Sequence, residues 1–217
     1  MNKVVSLNDA AEKLNNNQSL LVGGFLNVGT PETLIDVILE KGLKDLEIIG
    51  NDTGFPDKGV GKLVANKRVK KVVATHIGTN PETGKQMHAK ETEVVLVPQG
   101  TLAEQIRAGG AGLGGILTAT GIGTVVEENK EKVLVDGKEY LLEKPIVADV
   151  ALIKAYKADK HGNLVYRKAA RNFNPIMATA AKLVIAEVEH VVEEIDPDEI
   201  MTPGVFVDIV VEVGTNG

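Results

Sequence analysis

Apolar residues come in short runs along this chain, and several runs stop at glycine or proline. Leu20-Leu21-Val22 ends in Gly23-Gly24, Leu46-Glu47-Ile48-Ile49 ends in Gly50, and Val94-Val95-Leu96-Val97 ends in Pro98-Gln99-Gly100. Runs this short, bounded by turn residues, predict buried strands. Segments with helical spacing lie between them. Ser6 predicts the cap of an amphipathic helix from Leu7 to about Asn16, with Ala10, Ala11 and Leu14 turned inward. Thr30 and Pro31 predict the cap and first position of a helix carrying the stripe Thr33, Leu34, Ile35, Val37 and Ile38 and ending near Gly42. Gly61 to Asn66 predicts a short helix, Lys71 to Thr75 a strand, and His76 to Gly84 a turn-rich loop.

Beyond Arg107 the pattern changes. Gly109 to Gly123 holds seven glycines and little periodicity, which predicts a long loop or a close-packed crossing. Within it Gly110-x-Gly112-x-x-Gly115 has the spacing of a dinucleotide fingerprint. It follows a helix-like stretch rather than a strand, and no helical pattern comes after it, so no nucleotide site is expected there. Asp136-Gly137 between Val133-Leu134-Val135 and Glu139-Tyr140-Leu141-Leu142 predicts a β-hairpin. Val150 to Ala155 and Asn163 to Tyr166 predict strands, Pro175 to Lys182 a helix, and Leu183 to Val188 and Val205 to Val211 the last strands. Strands alternating with helix-length segments predict an α/β fold. The expected architecture is an open, mainly parallel sheet with helices on both faces plus a β-hairpin excursion, in a single domain over residues 1–217.

Composition narrows the classes without naming one. A length of 217 residues suffices for one α/β domain with a real core. Hydrophobic content of 43% and charged content of 25% are those of globular proteins. Aromatic content of 3% with no Trp leaves the core to Val, Ile, Leu and Ala. The absence of cysteine removes disulfides, thiolate metal sites and a cysteine nucleophile. Met1 to Ser6 lacks the apolar stretch of a signal peptide, and no apolar run reaches membrane-spanning length. A cytoplasmic protein without membrane association is expected. A net charge of −6, spread along the chain, argues against a nucleic-acid partner.

The candidate chemistry lies where strands end. Leu20 to Ile38 reads as strand, glycine loop and helix, the unit in which backbone N–H groups and a helix dipole face a ligand. Composition alone leaves an ordinary tight turn equally open. Gly50-Asn51-Asp52-Thr53-Gly54 forms a second loop at the same sheet end, and Gln99 stands just past the fourth strand. His76, His88, His161 and His190 lack metal-ligand spacing, so no metal site is expected. Lys154 and Arg171 are single cations that fit interface or structural pairing better than pairing with an acid or phosphate ligand.

Residue order adds a resemblance. Gly23-Gly24-Phe25, then Gly29 and Pro31, resembles the N-terminal signature of the family I CoA-transferases of the 3-oxoacid type. Val97 to Gly112, Ala148 to Ala155, Ala170 to Pro175 and Met201 to Gly204 resemble further blocks of that family. Together they run from about residue 19 to residue 207. The resemblance implies transfer of CoA between carboxylic acids by ping-pong kinetics, through a glutamyl-CoA thioester. It implies coenzyme A as a substrate and no permanently bound cofactor. A carboxylate needs no base to attack a thioester at neutral pH, but the tetrahedral oxyanions need N–H donors, each worth about 10²–10³ in rate. Glycines let the backbone approach the thioester closely.

By position, Gly23, Gly24, Phe25, Leu26, Asn27, Val28 and Gly29 match the family's CoA-binding loop. Gln99 matches the amide of the oxyanion site, with a solvent-exposed helix start as its bland alternative. Asn51 falls where the family often has Asn-Asn; Asp52 departs from that pattern, and Asn51 as a plain turn residue stays open. The family's nucleophilic glutamate sits in a Ser-Glu-Asn-Gly-like block that is missing here; Val126 to Lys130 reads as a solvated charged stretch. The chain is thus similar to an α subunit, expected to be inactive alone, with the glutamate on a β subunit in a tetramer of two α and two β chains. Thr75 to Gly84 and Asn51 to Thr53 resemble the bacterial acetate or butyrate:acetoacetate enzymes. A succinyl-CoA:3-oxoacid subunit is the alternative, and a phosphosugar-isomerase-like α/β domain a more distant one.

Overall fold

The computed structural model describes residues 2–214. Its elements run α1 (Leu7–Ala11), β1 (Ser19–Val22), α2 (Glu32–Glu40), β2 (Leu46–Ile49), α3 (Val60–Ala65), β3 (Val69–Ala74), α4 (Pro81–His88), β4 (Glu93–Leu96) and α5 (Gln99–Gly110). There follow β5 (Ile116–Thr118), β6 (Lys132–Val135), β7 (Lys138–Glu143), β8 (Ala148–Asp159), β9 (Leu164–Val165), α6 (Asn174–Met177), β10 (Ala181–Val192) and β11 (Ile209–Glu212). The main sheet has the order β11-β10-β8-β1-β2-β3-β4, and all six pairs along it are parallel. β9 adds antiparallel to β8, and β5-β7-β6 form a separate antiparallel sheet.

Alternate residues of a strand face opposite ways, and both faces here are buried. Leu20 and Val22 join Leu34, Ile35, Ile38 and Leu63 in the cluster beneath α2 and α3. Leu21, between them, joins Leu102, Ile106 and Met177 from α5 and α6. Burial on both faces explains why the inner strands read as unbroken apolar runs; β4, expected to be buried by the same reading, is the edge of the sheet and leaves Val95 and Leu96 exposed. The expected parallel sheet with helices on both faces is therefore what the chain forms, and the hairpin turns at Asp136 and Gly137, with φ of 49° and 76°. Among the described residues no helix is long and apolar enough to cross a membrane.

Several element bounds differ from expectation. Ser6 caps α1 in a reciprocal box with Asp9, but the helix stops at Ala11 instead of Asn16. Thr30 does not cap α2: the cap position is Pro31, without a side-chain bond. The orphan N–H of Leu34 is accepted by the buried Glu187 of β10 at 3.0 Å, a partner that sequence spacing cannot reveal. The stretch expected as the loop His76 to Gly84 contributes to α4, capped by Asn80 onto Glu82 N–H. That helix buries only Thr83 and Gln86, so it has no apolar stripe to read. The helix expected over Pro175 to Lys182 closes at Met177, because the chain then enters β10. Strands β8 and β10 are each twelve residues long and run well past the apolar cores that announced them. The last strand starts at Ile209; Gly204–Phe206 is a short 3₁₀ turn.

The glycine-rich stretch after Arg107 is in part a close-packed crossing. A Cβ on Gly109 would fall 1.9 Å from the Ile146 carbonyl, and one on Gly110 would fall 2.1 Å from Thr179 Oγ1. Gly100, on the same helix, has nothing within 4 Å. At the amino ends of the strands, Asp149 Oδ2 accepts Ser19 N–H at 3.0 Å and Ser19 Oγ–H at 2.9 Å, while Oδ1 pairs with Lys182 at 2.9 Å. The Ser19 backbone N–H, with Lys182 and the Ser19 hydroxyl, holds the Asp149 carboxyl down at about 2.

Three expectations follow, each checked by thermal or denaturant unfolding. Gly109→Ala destabilises by about 1–3 kcal/mol, since backbone must move. Gly100→Ala leaves stability unchanged or raises it by up to about 1 kcal/mol. The depressed Asp149 carboxyl stabilises the folded state above its unfolded value of 3.8, and that contribution fades as pH falls towards 2. Asp149→Asn should therefore lower the melting temperature at pH 7, with the gap to wild type closing between about pH 4 and pH 2.

Candidate active site

The order of the main sheet reverses at β1. Chain order runs outward through β2, β3 and β4 on one side, while β8, β10 and β11 lie on the other. Such a switch point opens a crevice at the carboxyl ends of the strands. The glycine loop fills the start of that crevice. Gly23 N–H donates to Leu152 O of β8 at 2.9 Å, which continues the strand one residue into the loop. Phe25 and Val28 then exchange backbone hydrogen bonds at 3.1 and 2.9 Å, closing a tight turn over Leu26 and Asn27. Both turn residues have positive φ, 45° and 70°. Gly24, at φ 123°, lies so close to Thr30 that a Cβ would sit 2.1 Å from its Oγ1. That contact is where Thr30 is used.

Two further strand ends meet this loop. Asn51 and Asp52 follow β2, and both are buried. Asp52 Oδ2 accepts Leu26 N–H at 2.9 Å and Asn51 Nδ2–H at 2.7 Å, and its Oδ1 accepts Gly54 N–H at 2.8 Å. Gln99 is the first residue of α5, and its Nε2 donates to Asn51 Oδ1 at 2.6 Å. Thr75, at the end of β3, donates its hydroxyl to the Asn51 backbone carbonyl at 2.8 Å, with Asn51 Oδ1 at 3.1 Å. The structure thus brings together the residues singled out in the sequence, Gly23 to Gly29, Asn51 and Gln99. Gln99 is exposed and does start a helix, but its amide is tied to Asn51. Asn51 is more than a turn residue, because its side chain bridges two loops.

Sequence reasoning left three participants without a role. Asp52 was a departure from a pattern, Thr75 the end of a strand, and Asn174 one letter in a block. Asn174 is fully buried; its Nδ2 donates to Gly29 O at 2.9 Å and Ala170 O at 2.8 Å, and its Oδ1 accepts Lys154 N–H at 3.0 Å. A Cβ on Gly23 would overlap that amide at 1.8 Å. The pairing Asn174-Pro175 at a short helix start was the available signal. Asn27 Nδ2 is buried and has no partner among the described residues, so the loop also holds a free donor.

The cations are placed differently. Lys154 pairs with the buried Glu187 at 2.9 Å, as structural pairing predicts, and both line a hollow of about 500 Å³ beside Gly29 and Lys58. Arg171 lines a separate hollow of about 710 Å³ with Tyr156, Arg167 and Lys168. Among the described residues no group of His, Asp and Glu is arranged to hold a metal ion.

The chain matches the family model described as Coenzyme A transferase over residues 4–213. It is 53% identical over 211 residues to the alpha subunit of the acetate CoA-transferase of Escherichia coli, covering 96% of each chain. It is 49% identical to the alpha subunit of the acetoacetyl-CoA:acetate/butyrate CoA transferase of Clostridium acetobutylicum, covering 97% of each. The corresponding subunit of a probable succinyl-CoA:3-ketoacid coenzyme A transferase of Bacillus subtilis is 51% identical, over 97% of this chain and 90% of that one. Among solved structures, an E. coli O157:H7 acyl-CoA transferase in its thioester complex with CoA superposes with a TM-score of 0.86 at 26% identity. That match covers 98% of this chain and 47% of the other, so the chain spans about half of that enzyme. The chain belongs to the coenzyme A transferase family, on its α-subunit side.

Proposed function

We propose that the chain is the α subunit of a two-chain enzyme that moves CoA between short acyl-CoA, acetyl or butyryl, and acetoacetate. The observation that carries this reading is the 2.6 Å bond from Gln99 Nε2 to Asn51 Oδ1 beside the glycine loop. It leaves the second N–H of Gln99 free at the first turn of α5, where the helix dipole adds positive potential. A tetrahedral oxyanion formed at that point is stabilised by both.

The nucleophile comes from a β subunit. Asp52, the carboxylate that reaches this group, already accepts three N–H donors, which makes it a poor nucleophile. A glutamate carboxylate of the partner attacks the thioester carbonyl, the carbon–sulfur bond breaks, and CoA thiolate leaves a mixed anhydride. The thiolate then attacks the glutamyl carbonyl, releasing the first acid and forming glutamyl-CoA. The second acid repeats these steps in reverse. In this reading Gly23 to Gly29 line the thioester end of coenzyme A, Asn51 orients Gln99, and Gln99 faces the oxyanion. Coenzyme A is a substrate and no resident cofactor or metal takes part. The exposed side chains of Phe25, Leu26, Val28, Phe55 and Leu96 support a covering partner at this sheet end, in a tetramer of two α and two β chains. The described residues act as one domain in that assembly. The B. subtilis relative supports a second reading, in which succinyl-CoA is the donor.

The test is exchange of CoA from acetoacetyl-CoA to acetate, measured on this chain alone and after mixing with a β subunit. Activity is expected only in the mixture, with acetate or butyrate preferred over succinate as acceptor. Gln99→Ala is expected to lower kcat by about 10²–10³. Turnover by the isolated chain would refute the placement of the nucleophile, and a preference for succinate would move the assignment to the second reading.

A further inference from the structure

The side-chain amides of Asn51 and Gln99 could each be turned either way, and only one combination puts an N–H rather than an oxygen towards the oxyanion. What fixes the combination is a group that can only accept. The Asp52 carboxylate is such a group, and it lies 2.7 Å from the Asn51 amide. Asn51 must therefore present Nδ2–H to Asp52, which turns its Oδ1 towards Gln99. Gln99 can meet that oxygen only with an N–H, at 2.6 Å. Its nitrogen end is thereby held at the site, with one proton used and one free. The Thr75 hydroxyl is compatible with this order, sharing its one proton between the Asn51 backbone carbonyl at 2.8 Å and Asn51 Oδ1 at 3.1 Å.

The same carboxylate also fixes the loop. Its Oδ2 accepts Leu26 N–H, and Leu26 sits at a positive φ that a non-glycine residue does not adopt freely. Its Oδ1 accepts Gly54 N–H. One buried anion thus sets the turn of the glycine loop and the orientation of the Gln99 amide together.

We propose that Asp52 is a positioning residue that, through Asn51, dictates which atom of Gln99 faces the reacting thioester. The proposal rests on the role of Gln99 given above. Ala at position 52 removes the acceptor, so nothing holds the Asn51 amide in one orientation and Gln99 is free to turn with it. The oxygen of Gln99 would then face developing negative charge.

The experiment is a double-mutant cycle in the assembled enzyme with a β subunit, reading kcat and KM for acetoacetyl-CoA and acetate. Asp52→Ala is expected to lower kcat by about 10- to 1000-fold, with any rise in KM reporting the lost Leu26 contact in the glycine loop. In the Gln99→Ala background the further loss in kcat should all but disappear, because the amide it orients is gone, while the change in KM that comes from the loop remains. Losses that multiply across the two variants would overturn the proposal, as would a raised KM with kcat unchanged. Light scattering and thermal unfolding establish assembly of each variant. Should Asp52→Ala not assemble, Asn51→Ala cuts the same chain one bond closer to Gln99. The same lack of additivity is then expected, and multiplied losses would again overturn the relay. A wild-type complex that exchanges no CoA would refute the proposed function instead, whatever Asp52 does.

Discussion

Parallel pairing on both sides of β1 is the constraint from which the rest follows. A strand hydrogen-bonded to parallel neighbours on each side needs helical crossovers on both faces, so both faces must be apolar. The alternation of Leu20 and Val22 with Leu21 divides the core into the two clusters that hold those helices. Because the strands share a direction, their following loops all leave at one end. The glycine loop, the Asn51-Asp52 loop, the end of β3 and the start of α5 are neighbours for that reason, although Gly23 and Gln99 lie far apart in sequence. Local propensity makes each piece, and the sheet brings the pieces together.

Burying polar groups at this junction is tolerable because each finds a partner. Glu187 is 1% exposed, yet it accepts from Lys154 Nζ at 2.9 Å and from the Leu34 amide at 3.0 Å. Asn174 supplies three hydrogen bonds across three chain segments, and Asp52 accepts three. These are groups for which removal of one partner leaves another unsatisfied, which makes the region intolerant of piecemeal change. The antiparallel sheet is tied on in the same way. Glu143, buried in β7, accepts from Gln105 of α5 at 3.1 Å and pairs with Lys130 at 2.5 Å.

The sequence made the sheet legible where burial was complete. Leu20 to Val22, Leu46 to Ile49 and Val150 to Ala155 stand out because a short apolar run between turn residues fits little else than a buried strand. It failed where an element is held by polar contacts. α4 buries Thr83 and Gln86 and no apolar stripe, so its periodicity was silent. The ends of β8 and β10 carry Lys157, Asp159, Glu189 and His190, residues that single-chain patterns assign to loops. The glycine loop, Asn51 and Gln99 were legible by residue order, but the links between them were not. A hydrogen bond between positions 51 and 99 has no signature in either neighbourhood. Asp52 looked like a deviation because its partners, Leu26 and Gly54, are backbone groups, and backbone donors leave no mark on composition.

The uneven lengths of the strands shape the crevice. β1 ends at Val22, opposite Leu152, whereas β8 continues to Asp159 and stays paired with β10 through Val192. At about 3.3 Å per residue, β8 rises roughly 20 Å beyond the floor of the crevice. One flank is therefore a stiff ledge of paired strands, β10 and β8 with the short β9, and the other is made of loops pinned by single side chains. A long, many-jointed ligand laid against such a ledge meets a surface that is already ordered. The entropy lost on association then falls on the ligand and on the loops rather than on the ledge. Rigidity on one flank and adjustability on the other divide the work of grip and of fit between two different kinds of backbone.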